Sequence, residues 1–223
     1  MSATYPHRAA FGALAATLLA ALLLSACKPG TPAVQQAHAG PATELAPAEQ
    51  GVAVFAGGCF WCTEADFDKL PGVIATTSGY TGGHVANPSY QQVSAGGTGH
   101  TEAVRVEYDP SKTSYAELLE AFWPTIDPLT ANAQFCDHGS QYRSAIFYAT
   151  PEEKALAEAS KAALQASGRF DQPIVTELLP ATTFYPAEDY HQDYHQKNPL
   201  RYTYYRHGCG RDARLEQLWG KQP

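Results

Sequence analysis

Within Val52–Phe67, VAVFAGGCFWCTEADF, an apolar run gives way to two glycines and then to a cysteine, and few local folds accept that succession. Val52, Val54 and Phe55 favour extended chain, Gly57-Gly58 breaks it, and Glu64 to Lys69 are helix-compatible, so the stretch reads as strand, tight turn, helix. Cys59 then falls at a helix N-terminus. Unpaired N–H groups and the positive end of the helix dipole favour a thiolate there, below the free-cysteine value of about 8.5. Cys59 is therefore a candidate nucleophile, and position alone fits equally a small buried hydrophobe.

The chain begins with a segment of targeting character. Arg8 precedes an apolar run, Ala9 to Leu24, followed directly by Leu24-Ser25-Ala26-Cys27, which is similar to the bacterial lipoprotein cleavage box. On that reading residues 1–26 are a signal peptide, Cys27 is the lipidated first residue of the mature chain, and the acyl chains hold it to a membrane. Residues 27–50, rich in Ala, Pro, Gln and Gly, have no hydrophobic periodicity and read as a flexible tether. The expected location is the cell envelope, facing the periplasm, with the outer membrane favoured. Without Arg8 the mature chain has 14 basic against 22 acidic residues, a net of −8, which argues against a nucleic-acid partner.

Residues 51–223 have the length of one ordinary domain. The expected order is strand Val52–Ala56, helix Cys59–Lys69, strand Val73–Tyr80, a structureless Gly-rich loop Thr81–Thr101, and strand Ala103–Tyr108. Next come helix Tyr115–Trp123 behind a capping box of Ser114 and Glu117, strand Tyr142–Tyr148, helix Pro151–Ser167 capped by Thr150, strand Ile174–Leu179, and a short helix Arg211–Trp219. This mixture indicates an α+β fold: one domain, a mixed, mostly antiparallel sheet in a two-layer arrangement related to ferredoxin-like folds, with helices against it and long functional loops. The polar loop Asp127–Gln141 and the Tyr/His/Arg-rich end, with Cys209 flanked by Gly208 and Gly210, are the other places where a site could form.

Beyond Cys27 the cysteines are Cys59, Cys62, Cys136 and Cys209. Cys59-Phe60-Trp61-Cys62 has the CxxC spacing, which on a helix start brings two sulfurs within bonding range and implies redox chemistry. Two alternatives stand beside a dedicated thiol enzyme. A structural zinc site would draw on Cys59, Cys62, Cys136 and His138 or Cys209, though the second half lacks a matching ligand pair. A thioredoxin-like disulfide exchanger accounts for the CxxC after a strand but not for the two-glycine lead-in.

Several stretches together are more specific: Gly57-Gly58-Cys59-Phe60-Trp61, Tyr80-Thr81-Gly82-Gly83, Asn87-Pro88-Ser89-Tyr90, Thr98-Gly99-His100-Thr101-Glu102-Ala103-Val104, Gln141-Tyr142-Arg143-Ser144, Ala187-Glu188-Asp189-Tyr190-His191-Gln192 and Gly210-Arg211-Asp212. In this order, from Gly51 to Gly220, the chain resembles the A-type peptide methionine sulfoxide reductases. The resemblance implies Cys59 as nucleophile, Glu102 as the acid that protonates the leaving oxygen, Tyr90 and Tyr142 as oxygen-binding hydroxyls, and Asp137 beside the pocket. It also implies Phe60 and Trp61 as an apolar cup for the substrate methyl group. No bound cofactor or metal is implied. Methionine sulfoxide, free or in proteins, is the implied substrate of a monomeric enzyme, and a periplasmic thioredoxin-like dithiol the implied reductant. Three cysteines could resolve a sulfenic acid on Cys59: Cys209 on a mobile tail is placed first, then Cys62, with Cys136 last and given a structural role against Cys62.

Overall fold

β1 (Gly51–Gly57) pairs along both edges, antiparallel with β3 (Thr101–Tyr108) and antiparallel with β6 (Ser144–Tyr148), and so becomes the centre of the sheet. The computed structural model describes residues 50–221; the expected signal peptide and nearly all of the tether lie outside them. β2 (Val73–Thr81) continues the sheet beyond β3, and the two-residue strand β8 (Tyr185–Pro186) closes that edge. At the other edge β7 (Glu177–Pro180) lies parallel to β6, giving the order β7-β6-β1-β3-β2-β8. That pair is parallel because α4 (Pro151–Ala166) carries the chain back between the two strands, a crossover an antiparallel hairpin does not need.

The register sorts the side chains by face. Phe55 lies opposite Val104 on one neighbour and Ile146 on the other, and these three join Phe67, Tyr115, Leu118 and Phe122 in the main core. The last four belong to α1 (Phe60–Phe67) and α3 (Tyr115–Phe122), the helices that cover this face. Ala56, Ala103, Ala145 and Phe147 point the other way into a smaller cluster under Phe184. The same register sets the site. Ser144 pairs with Gly57, and Glu102 pairs with Tyr80, which pairs in turn with Tyr185. Carrying the β1–β3 pairing on by two residues sets Glu102 level with Gly57, at the end of β1 where Cys59 follows.

Both expected caps form. Ser114 and Glu117 make a full capping box on α3, whereas at α4 the Thr150 hydroxyl accepts from the Glu153 N–H and the Glu153 carboxylate turns to the Ala149 N–H. The loop expected between Thr81 and Thr101 is not structureless. It holds α2 (Tyr90–Ser94), with a capping box of Ser89 and Gln92, and is braced where the His84 N–H donates to Thr98 O and His100 Nε2 meets Val85 O at 2.7 Å. Asp127–Gln141 likewise folds into a two-stranded hairpin, β4 (Ala133–Gln134) with β5 (Asp137–His138). Tyr142 falls in a short turn before β6, and β7 begins at Glu177 rather than Ile174. The end of the chain, expected to be mobile around Cys209, contains α5 (Tyr194–Lys197), α6 (Pro199–Gly208) and α7 (Arg211–Trp219). Among the described residues no helix is long and apolar enough to cross a membrane.

Candidate active site

Gly58 has φ +85°, the left-handed region, and a Cβ there would lie 2.5 Å from Gln134 Cβ. Both facts require glycine at this corner. Gly58→Ala should therefore cost about 2 kcal/mol or more in urea unfolding. An unchanged unfolding midpoint would show that the turn has an alternative conformation of equal energy.

The turn delivers Cys59 to the N-cap of α1, where its carbonyl accepts from the Cys62 and Thr63 N–H groups. The first free donor of the helix, the Phe60 N–H, points to Glu102 Oε2 at 3.0 Å. Glu102 is buried, and burial pushes its carboxyl up to about 8 against the pull of that N–H, with the nearby Asp137 and Cys62 charges adding to the rise. At neutral pH it keeps its proton beside the Cys59 sulfur.

Cys59 and Cys62 are both reduced and only 6% and 1% exposed. The electrostatics differ from the expected low Cys59 pKa. Burial pushes the Cys59 thiol well up, and its hydrogen bond to Cys62 and the Cys62 and Glu102 charges add to this. Cys62 is brought down to about 7, chiefly by the hydrogen bond from Cys59, against burial, with Arg211 and Arg206 supplying positive charge. Two adjacent sulfurs share one proton more easily than they lose two, so the resting charge sits on Cys62 and Cys59 donates to it. The helix-end effect is smaller than the cost of charging a buried sulfur.

Tyr90, at the start of α2, and Tyr142, just before β6, both lie within electrostatic reach of Cys59 and Glu102. Burial raises both phenols, Tyr90 to about 12, and the Glu102 and Cys59 charges contribute in both cases, as does Asp137. Both hydroxyls therefore remain protonated donors. Asp137 on β5 accepts from the Tyr205 hydroxyl, and Tyr205, on α6, also reaches the Cys59 sulfur. Trp61 stacks on Tyr194 at 3.7 Å between ring centroids, meets Tyr205 edge-on and donates from Nε1 to His191 Nδ1 at 3.0 Å. Phe60, fully buried between Tyr80 and His191, forms the floor of this aromatic cup and Trp61 its half-exposed wall. Of the sequence-predicted pocket residues, Glu102, Tyr90 and Tyr142 thus interact with Cys59 directly, whereas Asp137 is linked to it through Tyr205.

Tyr205 and the individual contributions of His191 and Arg211 were not singled out from sequence. The Tyr202, Tyr205, Cys209 spacing, at i, i+3 and i+7, is a helical stripe that could have located Tyr205. Arg211 is 2% exposed; it donates to Gly57 O and to Thr125 O, and its guanidinium lies 4.5 Å over the Phe135 ring. It clamps the residue two before Cys59, and its charge helps to lower the Cys62 pKa.

Cys209, expected as a free thiol on a mobile tail, is at the C-cap of α6 and forms a disulfide with the exposed Cys136. The partner expected for Cys136, Cys62, is not the one it has. In the chain-entropy picture a cross-link over 73 residues contributes about 4 kcal/mol. Among the described residues the zinc set drawn from Cys59, Cys62, Cys136 and His138 is not assembled. Cys136, Asp137 and Cys209 do cluster, with both sulfurs already in the disulfide.

The family described as Peptide methionine sulfoxide reductase matches residues 51–223. The chain belongs to this family. A peptide methionine sulfoxide reductase MsrA of Bacillus licheniformis is 52% identical over 171 residues, 77% of this chain and 94% of that protein. One of Streptococcus pyogenes is 54% identical over 75% of this chain and 98% of its own length. Among solved structures, the reduced form of Mxr1 from Saccharomyces cerevisiae superposes with a TM-score of 0.65 at 32% identity, covering 70% of this chain and 90% of that one. Methionine sulfoxide reductase A of Corynebacterium diphtheriae gives 0.60 at 37% identity, covering 68% and 76%. The family match and these relatives are peptide methionine sulfoxide reductases, so the thioredoxin-like alternative falls.

Proposed function

We propose that the protein reduces the S epimer of methionine sulfoxide, free or within polypeptides, to methionine, and so repairs oxidised proteins of the cell envelope. One observation carries the reading: in a member of this family a buried, protonated Glu102 is bonded to the helix start beside Cys59, with Tyr90 and Tyr142 both within electrostatic reach of that pair. The Cys59 sulfur attacks the sulfoxide as its proton passes to Cys62, and Glu102 protonates the oxygen, with the two phenols holding it. The sulfur–oxygen bond of the substrate breaks as the protonated oxygen passes to the Cys59 sulfur, so methionine leaves and Cys59 carries a sulfenic acid. Trp61 and Phe60 receive the substrate methyl group, which fixes the face attacked.

Cys62 is the first resolving group on this reading, since it sits one turn from Cys59 and Cys209 is already bonded to Cys136. Cys62 gives up the proton it took, its sulfur attacks the sulfenic sulfur, the departing hydroxyl takes that proton and leaves as water, and a Cys59–Cys62 disulfide forms. Both sulfurs are buried, whereas the Cys136–Cys209 disulfide is open to solvent; a thioredoxin-like dithiol reduces this outer pair, which then exchanges with the inner disulfide and is oxidised again at the surface. The Cys27 box and the tether support a monomeric, lipid-anchored, periplasm-facing enzyme, served by a periplasmic dithiol.

With dithiothreitol and no added metal, the protein should consume only the S epimer of methionine sulfoxide in a peptide. Consumption of the R epimer, or brisk insulin-disulfide reduction with the sulfoxide untouched, would overturn the reading. Cys27→Ala should move the protein from the membrane to the soluble envelope fraction. Unaltered membrane retention would remove the anchor from the proposal.

A further inference from the structure

Glu188 follows the edge strand β8 by two residues and turns its carboxylate into the gap between α2 and β2. Oε1 accepts the Tyr90 N–H at 2.9 Å and Oε2 accepts the Tyr80 hydroxyl, also at 2.9 Å. Each donor would otherwise be stranded. Tyr90 is the first residue of α2, so its N–H has no partner within the helix, and the capping box serves Ser89 and Gln92 instead. Tyr80 is wholly buried, and its ring packs against Phe60 in the floor of the cup. The chain leaving Glu188 turns at once through Asp189–His191, and the His191 ring lies 4.5 Å from the Tyr90 ring and 4.9 Å from that of Phe60.

We infer that Glu188 is a positioning residue: by accepting from Tyr90 and Tyr80 together it fixes α2 against the cup and so aims the Tyr90 hydroxyl at the substrate oxygen. Glu188 does not touch the reacting atoms, and the inference rests on the sulfoxide-reductase reading given above. Its chemistry is specific to a carboxyl-sized group with two acceptor sites. Burial opposes the negative charge, but the Tyr90 N–H and the Tyr80 hydroxyl hold its carboxyl below the usual range, so it stays ionised and both bonds are charge-assisted. Glutamine keeps half of this directly, accepting the Tyr90 N–H at its oxygen. Its amide N–H can then donate to the Tyr80 hydroxyl, which accepts as well as donates. Alanine leaves both donors bare.

The test is the single-turnover rate of methionine release from a methionine sulfoxide peptide, with kcat and KM alongside, for E188A, E188Q, Y90F and the double variant E188A/Y90F in the mature protein. Y90F is expected to lower the rate about tenfold or more by removing one donor to the oxygen. E188A should lower it about tenfold through misplacement of that donor, falling on kcat more than on KM. The double variant should lie within about twofold of Y90F, because a hydroxyl already absent cannot be misplaced. E188Q should stay within about threefold of wild type, which also shows that the fold survives. If Y90F is impaired while E188A keeps the wild-type rate, or if the two losses multiply, Glu188 does not position Tyr90 and the sulfoxide-reductase reading stands. If Y90F reacts at the wild-type rate, Tyr90 has no role in oxygen binding, and the inference falls with that assignment alone. A protein that reduces no sulfoxide in its wild-type form would instead overturn the reading beneath it.

Discussion

Cys59→Ser is expected to abolish methionine formation, by about 10⁴-fold or more even in a single turnover, because Cys59 is the sulfur whose charge both Tyr90 and Tyr142 feel. Cys62→Ser separates attack from resolution: it should release one equivalent of methionine and then stop, with a sulfenic acid on Cys59 that a dimedone-type probe traps. Cys209→Ser or Cys136→Ser should also release the first equivalent, form the Cys59–Cys62 disulfide, and lose turnover with a protein dithiol while keeping it with dithiothreitol. Trapped sulfenic acid in Cys209→Ser, and none in Cys62→Ser, would reverse the assignment of the first resolving cysteine and return Cys209 to that role. The proton arrangement gives a second mark. Cys62→Ser removes the neighbour that takes the Cys59 proton, so its first turnover should be slower at pH 7 than in wild type and recover as the pH rises.

Glu102→Gln keeps the shape and the acceptor for the Phe60 N–H but has no proton to give, and the chemical step should slow by about 10² or more. The pH dependence follows from the direction of the shift. The reacting form pairs the protonated acid, whose pKa burial has moved up to about 8, with a Cys62 that has lost its proton near 7, and so the wild-type single-turnover rate should peak between these values and fall about tenfold per unit above about 8. In Glu102→Gln the descending limb should disappear. Stability runs in a related sense. Between the ordinary carboxyl value of 4.5 and about 8 the unfolded chain releases a proton that the folded one keeps, so this group's contribution declines as pH rises through that window and is constant above it. Glu64, also buried and pushed up to about 7 by burial and by Asp68 and Asp193, adds to the decline over the lower part. Urea unfolding at pH 5 and pH 8 should therefore show a smaller loss in Glu102→Gln than in wild type. An identical rate profile in the variant would remove Glu102 from proton transfer.

The elements with strong local signals were legible in the chain, and those made by distant partners were not. Ser114 with Glu117, and Thr150 with Glu153, announce helices through hydrogen bonds that close within four residues. The Gly57-Gly58 corner is likewise local, and Cys59 and Glu102 could be named from the motifs that surround them. The state of Cys59 could not be read, because its raised pKa comes from burial and from Cys62, and burial is a property of the finished fold. α6 was missed for a physical reason: Tyr, His and Gly are poor helix formers, and the helix is held by contacts such as Arg206 with Asp66, 140 residues earlier in the chain. The same applies to the Cys136–Cys209 pairing, which depends on where α6 ends. Glycines beside a cysteine indicate permission to bend, and in Gly210, with φ +68°, that permission serves the tight link between two helices.

The grip of Arg211 on the Gly57 carbonyl ties the corner at the start of the domain to a residue 154 positions later. A chain made or exported from its N-terminus can pair β1, β2 and β3 while most of α4 is still to come, but the carbonyl before the nucleophile receives its guanidinium only when the last helix arrives. Tyr205 is similarly late. The reacting sulfur is thus among the first groups of the domain to appear and among the last to be walled in, and a polypeptide interrupted anywhere before Arg211 carries the nucleophile without the cation that organises it. Completion of the chain is itself a condition of chemistry: arrested or clipped products would retain a soft, accessible thiol, and mature molecules a selective one.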